Sequence, residues 1–467
     1  MISYFPTAIS KKGIFLYLIS LILVSIIFLK YAIGAVWMIL GFIEILVFFL
    51  MSNKLSSTWQ RLSAKDYARD LFIGAFLLRL VWVVFSYFFY ISLNGDPFEF
   101  DAADSCGYNG EAEWLAGCPW SRVWDYYLAE GKDFSDIGYP FYLMLLYRLI
   151  GPNIFVARVL KAIYGAITCV LLYKLAARNM NEQVGRIAGV FAMVMPNLSI
   201  YCGLHLKETE MIFLMVAFLE RTDYVLRERM ITWRKVILPL LLAGSLFLFR
   251  TILGVLAFFS VATALLFSPN RTIRLARKLV VTVWVVLAVA VLAGGTVRTE
   301  IEGYWNDRGE NQTIKRVQQT KEGNQWAKYA TGTVMAPMAF VIPFSTMVDT
   351  SQQNQLVMHA GNYVRNYMGI FVLIFLFTVL FVKKNWRDFS LIGSFVIGYL
   401  GVISMSGFAN SERFLLPGLP CLIIMWAYGI SELNAKNYKF VNYWSVVVVL
   451  MEVGWAYFKI GSRGWDF

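Results

Sequence analysis

Histidine and cysteine are scarce: two histidines, His205 and His359, and five cysteines in 467 residues, none at metal-ligand spacing. That speaks against a zinc centre. Charge is scarce as well, at 15% of residues against 58% hydrophobic and a mean hydropathy of +0.60, which is too apolar for a soluble globule. The chain has no internal repeat and no low-complexity tract, so a solenoid or an inverted-repeat transporter gains no direct support. No small-residue cleavage site follows the first apolar run after Lys11 and Lys12, so that run reads as a retained anchor helix, not a signal peptide. A net charge of +12 would suit nucleic acid, but most basic residues stand in short loops between apolar runs, where they set topology. Nucleic-acid binding is not expected.

What the chain has in abundance is long apolar runs, which define an all-α polytopic membrane protein. Candidate spans are 13–29, 31–51, 71–93, 154–178, 186–203, 209–226, 236–249, 251–268, 279–297, 367–382, 389–405, 414–430 and 440–459, about thirteen. Segments 52–70, 220–235, 269–278 and 383–388 are basic. Placing all four inside leaves residues 94–153, 204–208, Arg250, 298–366 and 406–413 outside. This scheme requires GYPFYLMLLYRLIG (138–151), apolar for barely a dozen residues, to lie along the outer leaflet and not to cross. Arg148, Arg158 and Lys161 then fall outside, where they suit anionic headgroups. The apolar stretch 334–348 is broken by Pro337 and Pro343 and reads as a re-entrant or interfacial hairpin. The chain divides into an N-terminal hairpin and linker (1–70), a central membrane module (71–297), an external loop (298–366) and C-terminal helices (367–467).

The most distinctive stretch is 94–138, an acidic and aromatic island with ten carboxylates against Arg122 and Lys132. It is where an active site is expected to open. A helix is expected to start near Asp101 or Asp104, either of which can cap it, with Asp101, Asp104, Tyr108 and Glu111 on one face. A carboxylate at a helix N-terminus is held ionised and suits a general base. Capping alone is the bland alternative. Asp136 stands at the entry to the interfacial helix as a turn former or a second carboxylate of the same cavity. His205, Lys207 and Glu208 cluster just beyond span 186–203, either snorkelling or meeting an anionic phosphate. Arg250 interrupts the run 236–268 alone and requires an anionic partner, for which a phosphate diester is a natural bidentate match. Arg413 repeats this logic before span 414–430, whereas Arg79, deep in span 71–93, reads as structural. Cys106 and Cys118 share the acidic loop and would pair in an oxidising compartment; two free thiols are the alternative.

The order of these elements is familiar: Asp104-Ser105-x-x-Tyr108-x-x-x-Ala112, the interfacial helix, a span beginning with Arg158, MPNLSIYCGLHLKETE at an outer corner, an arginine after a short span, and Glu412-Arg413-x-x-x-Pro417-x-x-Pro420. It resembles the GT-C superfamily of integral membrane glycosyltransferases, in particular the branch of protein O-mannosyltransferases and lipid A aminoarabinose transferases. The resemblance is good over 71–270, thinner at 406–430 and absent over 1–60 and most of 298–366. It implies a GT-C-type helical bundle with interfacial helices in the first large external loop. It also implies a sugar donor on a polyprenyl phosphate, an Asp base from that loop, and basic residues on the lipid phosphate. Mapped onto this chain, Asp104 or Asp101 is the base, with Asp104 favoured. Lys207, Arg250 and Arg413 hold the phosphate, and Tyr108, Glu111, Asp136, His205 and Glu208 stand at or behind the acceptor. The family's Asp-Glu pair is replaced here by two Asp three residues apart.

The expected reaction is an inverting single displacement onto an acceptor hydroxyl of a glycan, lipid or protein, on the periplasmic face of a bacterial inner membrane. No cofactor is required, and the carboxylate supply is compatible with a divalent cation. Membrane lipids are the remaining partner. One rival is a surface polysaccharide polymerase or ligase relying on Arg298, Arg308, Arg316 and Arg365. The other is a transporter, for which Arg79, Glu44 and Lys161 make no continuous path.

Overall fold

The computed structural model describes residues 3–129, 134–228, 232–267, 338–349, 353–405 and 411–461, and every structural statement below concerns these. They form an all-α polytopic bundle without strands. α1 (Thr7–Ile27), α2 (Ala35–Arg61) and α3 (Ala64–Asn94) are long and apolar. Ser63 caps α3 by accepting from Asp66 N, and Gly95 ends it in the left-handed conformation (φ 82°), as a C-terminal glycine does. Three shorter helices follow: α4 (Ala103–Gly117), α5 (Trp120–Ala129) and α6 (Gly138–Ile150). α7 (Ile154–Asn179) returns through the bundle, capped by Asn153. α8 (Glu182–Val194) and α9 (Pro196–Gly203) form a pair bent by 55° at Pro196. Then come α10 (Glu208–Arg227), α11 (Trp233–Phe249) and α12 (Thr251–Phe267), and finally α13 (Gln353–Val382), α14 (Trp386–Ser404), α15 (Glu412–Ser431) and α16 (Tyr438–Gly461).

Among the described residues eight helices are long and apolar enough to cross a membrane, or nine with the bent pair as one span; the count of thirteen is not confirmed. α11 has 17 residues, about 25 Å at 1.5 Å per residue, short of the ~30 Å apolar layer; α12 is described as far as Phe267. α10 carries six charged residues, from Glu208 to Arg227, too many for an apolar span. The expected span 279–297, basic segment 269–278 and Arg298, Arg308 and Arg316 lie outside the described residues.

The bent pair is held by Arg79. Its guanidinium donates to the carbonyls of Ala192 (2.9 Å), Met193 (3.2 Å) and Ala75 (3.2 Å). Carbonyls freed where α8 stops have no water inside a bilayer, so a buried donor must serve them. Gly165 makes room, since a Cβ there would stand 2.6 Å from Arg79 Nε. Arg79 is structural, as its sequence position implied.

At one end of the bundle, Arg186 donates to the carbonyls of Trp59, Gln60 and Leu62, and Arg178 pairs with Glu220 and Asp223. At the opposite end stand the acidic helices and the starts of α7 and α10. Residues 339–348, mostly apolar and buried and without an α-helix, are pinned by α13: Asn366 donates to the carbonyls of Val341 (2.7 Å) and Pro343 (3.1 Å) and accepts from Ser345 N (3.1 Å), and Arg365 donates to Ala339 O (3.1 Å). Side chains of a neighbouring helix thus satisfy irregular backbone inside the bundle.

Candidate active site

The chain brings three cations and three carboxylates together at the acidic end. Arg413, in the first turn of α15, pairs through Nη1 with Asp104 and through Nε with Glu208 Oε1, the latter at 2.5 Å. Arg250 stands at the break between α11 and α12 in extended conformation (φ −164°, ψ 109°). Its Nη2 lies 3.6 Å from the same Glu208 oxygen, and its Nη1 donates to Tyr399 Oη at 3.0 Å. Tyr399 in turn donates to Phe414 O at 2.7 Å, and the Arg250 guanidinium lies 4.3 Å from the Phe414 ring centre. Lys207 donates to Asp136 Oδ1 (2.8 Å) and Ser135 O (2.7 Å) and stands 5.8 Å from the Tyr108 ring centre. Glu208 is fully buried, while the Asp104 side chain is 59% exposed and Arg413 22%. The cluster therefore opens to solvent at Asp104 and closes at Glu208.

Local folding explains the approach of these parts. The interruption at Arg250 turns one long apolar run into two helices with the charge at their junction. Gly138 lets α6 start against the end of α11, since a Cβ there would stand 2.7 Å from Leu248 O; Asp136 sits just before it. The Lys207–Asp136 contact also fixes topology. Between these residues lie α6, α7 and the α8–α9 pair, and only an even number of crossings returns the chain to the same end. α6 (13 residues) therefore does not cross.

Burial shapes the electrostatics. It lowers the Lys207 ammonium from its ordinary value, although Asp136 pulls it upward. Burial also lowers His205, helped by Lys161 and Arg158, so the ring is neutral. The Tyr108 hydroxyl is raised by burial and stays a donor.

Several expectations are corrected. Helix α4 is capped by Ala102, without a side-chain cap bond. Asp101 precedes it in the left-handed region (φ 51°), and Asp104 lies in the first turn, spending its carboxylate on Arg413. Asp101 instead lines a separate pocket of about 660 Å³ with Asn94, Asp96, Glu99, Ala103 and Cys106. Glu111 stands beside Tyr127, whose hydroxyl is raised by burial and then by this carboxylate. His205 is fully buried with Tyr147 Oη 3.5 Å from Nε2, behind the site. Cys106 and Cys118 are free: twelve residues along α4 separate them by about 18 Å, beyond the ~7 Å limit for a disulfide. Arg148, Arg158 and Lys161 bond the carbonyls of Leu115, Pro97 and Leu204, and Arg158 and Lys161 are fully buried.

Three contributors escaped the sequence reading. Tyr399 sits in an apolar run and gives no signal. Asn197, in MPNLSIYC, bonds Glu412 and Asn362; a polar residue beside Pro196 inside a span was the available clue. Glu99 is one of ten carboxylates and could not be told from the rest. Among the described residues no group of three or more His, Cys, Asp or Glu stands ready to hold a metal ion.

The described residues thus form an all-α polytopic bundle with a cluster of three cations and three carboxylates at one end. The sequence model of the dolichyl-phosphate-mannose-protein mannosyltransferase family matches residues 137–294, consistent with a GT-C superfamily glycosyltransferase. It supports a membrane glycosyltransferase that uses a polyprenyl-phosphate-linked sugar donor. Lys207, Glu208 and Arg250 lie inside the matched segment; Asp104 and Arg413 lie outside it. No curated protein matches the chain.

Proposed function

We propose that the chain transfers a sugar from a polyprenyl phosphate to an acceptor hydroxyl by a single inverting displacement, on the non-cytoplasmic face of the cell membrane. The observation that carries this reading is Arg413, which binds the exposed Asp104 on one side and the buried Glu208, shared with Arg250, on the other. Asp104 takes the proton of the acceptor hydroxyl, the acceptor oxygen bonds the anomeric carbon, and the bond from that carbon to the phosphate oxygen breaks. One negative charge leaves Asp104 as one appears on the phosphate. Arg413 touches Asp104 and adjoins the phosphate cradle of Lys207 and Arg250, so it follows that charge with little rearrangement, as electrostatic catalysis requires. The acceptor sits in the pocket beside Ala103 and Asp101. The positive-inside pattern supports the external face.

The test uses full-length protein in detergent with a panel of radiolabelled polyprenyl-phosphate sugars. Wild type should release or transfer sugar. Asp104→Asn should lose transfer by at least ~10²–10⁴-fold while still binding donor, and Arg250→Ala should lose donor binding. If no donor binds and neither substitution matters, the reading is wrong.

A further inference from the structure

The base and the phosphate cradle belong to different parts of the chain, and a displacement works only if their separation is held. One buried side chain touches both parts. Glu99 is 5% exposed. Its Oε1 accepts from Ser105 Oγ, the residue directly after Asp104. Its Oε2 accepts the backbone N–H of His205 at 3.3 Å, two residues before Lys207. Arg158 Nη2 stands 3.9 Å from that second oxygen and donates to Pro97 O at 2.7 Å. The carboxylate therefore has a counter-ion that also fixes its own backbone. The far side of the same loop is held independently, since the fully buried Lys161 donates to the carbonyls of Leu204 (3.0 Å) and Leu206 and lies 3.5 Å from Glu210.

We propose that Glu99 is a positioning residue that yokes the start of α4 to the 204–207 loop, and so sets the distance between Asp104 and the phosphate held by Lys207. It divides its two oxygens between the two partners; although it lines the pocket beside Asp101, it is almost fully buried and acts through Asp104, not on the reacting atoms. Because Lys161 holds the loop on its own, loss of Glu99 leaves the cradle formed but lets the base drift. A misplacement of about 1 Å costs on the order of 10²-fold in rate. The proposal rests on the functional reading above.

The test compares wild type, Glu99→Ala, Glu99→Gln and Ser105→Ala in detergent, measuring polyprenyl-phosphate affinity and sugar transfer separately. Expected is an unchanged dissociation constant, with turnover lower by about 10²-fold in Glu99→Ala and by less in the other two. In an Asp104→Asn background, adding Glu99→Ala should cost nothing further in residual sugar release, because a yoke has no effect once the base is gone. Equal losses of affinity and turnover in monodisperse protein would overturn the proposal, as would an undiminished cost in the Asp104→Asn background. If Glu99→Ala does not fold, Ser105→Ala decides: it removes one hydroxyl, and unchanged turnover sinks the yoke. Wild type that neither binds polyprenyl phosphate nor transfers sugar would remove the functional reading and the yoke together. Normal wild type, sensitive to Asp104→Asn but with additive Glu99 effects, would remove only the yoke.

Discussion

Arg250 and Glu208 approach to 3.6 Å where the α11–α12 junction meets the start of α10, and Arg413 reaches the same carboxylate oxygen at 2.5 Å. One buried anion thus keeps two guanidiniums together. Replacing Glu208 with alanine leaves them facing each other in a dehydrated site, and removing one partner of a buried ion pair costs about 3–5 kcal/mol. Glu208→Ala should lower the unfolding temperature in detergent clearly below that of Asp104→Ala, whose side chain is mostly exposed. Equal shifts would refute this.

The two aspartates at the start of α4 should behave differently. Asp104→Asn should reduce transfer by ~10²–10⁴-fold. Asp101→Asn, which alters only the neighbouring pocket, should raise the concentration of acceptor needed and leave single-turnover sugar release to water near wild type. A large loss of that release in Asp101→Asn would reverse the assignment of the base.

Phosphate binding should weaken at alkaline pH. Burial lowers the Lys207 ammonium from its ordinary value, so the cation is present below that lowered value and vanishes as pH rises through it. Arg250 and Arg413 stay charged. Wild-type affinity for polyprenyl phosphate should therefore fall with rising pH in a range where Lys207→Arg stays flat. Parallel profiles would mean that another group titrates.

Cys106 is exposed, Cys118 is half-buried, and both are free. A membrane-impermeant maleimide added to intact cells should label Cys106 without prior reduction, and Cys106→Ser should abolish most of that labelling. Labelling only after the membrane is opened would move the active site to the cytoplasmic face.

The helical bundle, the non-crossing α6 and the grouping of Lys207, Arg250 and Arg413 were legible because each rests on a strong local signal: apolar length, a run too short to span, or a lone charge in an apolar run. The count of thirteen spans is not confirmed: eight or nine helices qualify among the described residues, the expected span 279–297 lies outside them, and hydropathy alone did not register how short α11 is. The Cys106–Cys118 pairing failed because sequence spacing says nothing of distance when the intervening residues form one straight helix. Glu111 was placed on the Asp104 face by helical spacing and stands beside Tyr127; His205, expected at or behind the acceptor, is buried beside Tyr147. Glu99 and Tyr399 owe their positions to long-range packing, and no local pattern reports that.

The six charged side chains of the cluster, Asp104, Asp136, Glu208, Lys207, Arg250 and Arg413, balance to zero among themselves. In the proposed reaction a phosphate would not fall into an empty positive well; it would trade places with a carboxylate already in contact. Binding by exchange is weaker than binding by capture, because an existing ion pair has to open. Once Asp104 gave up its proton, it would compete for Arg413 again and help expel the spent lipid phosphate. The internal ion pairs would then set a ceiling on affinity and keep the product from staying.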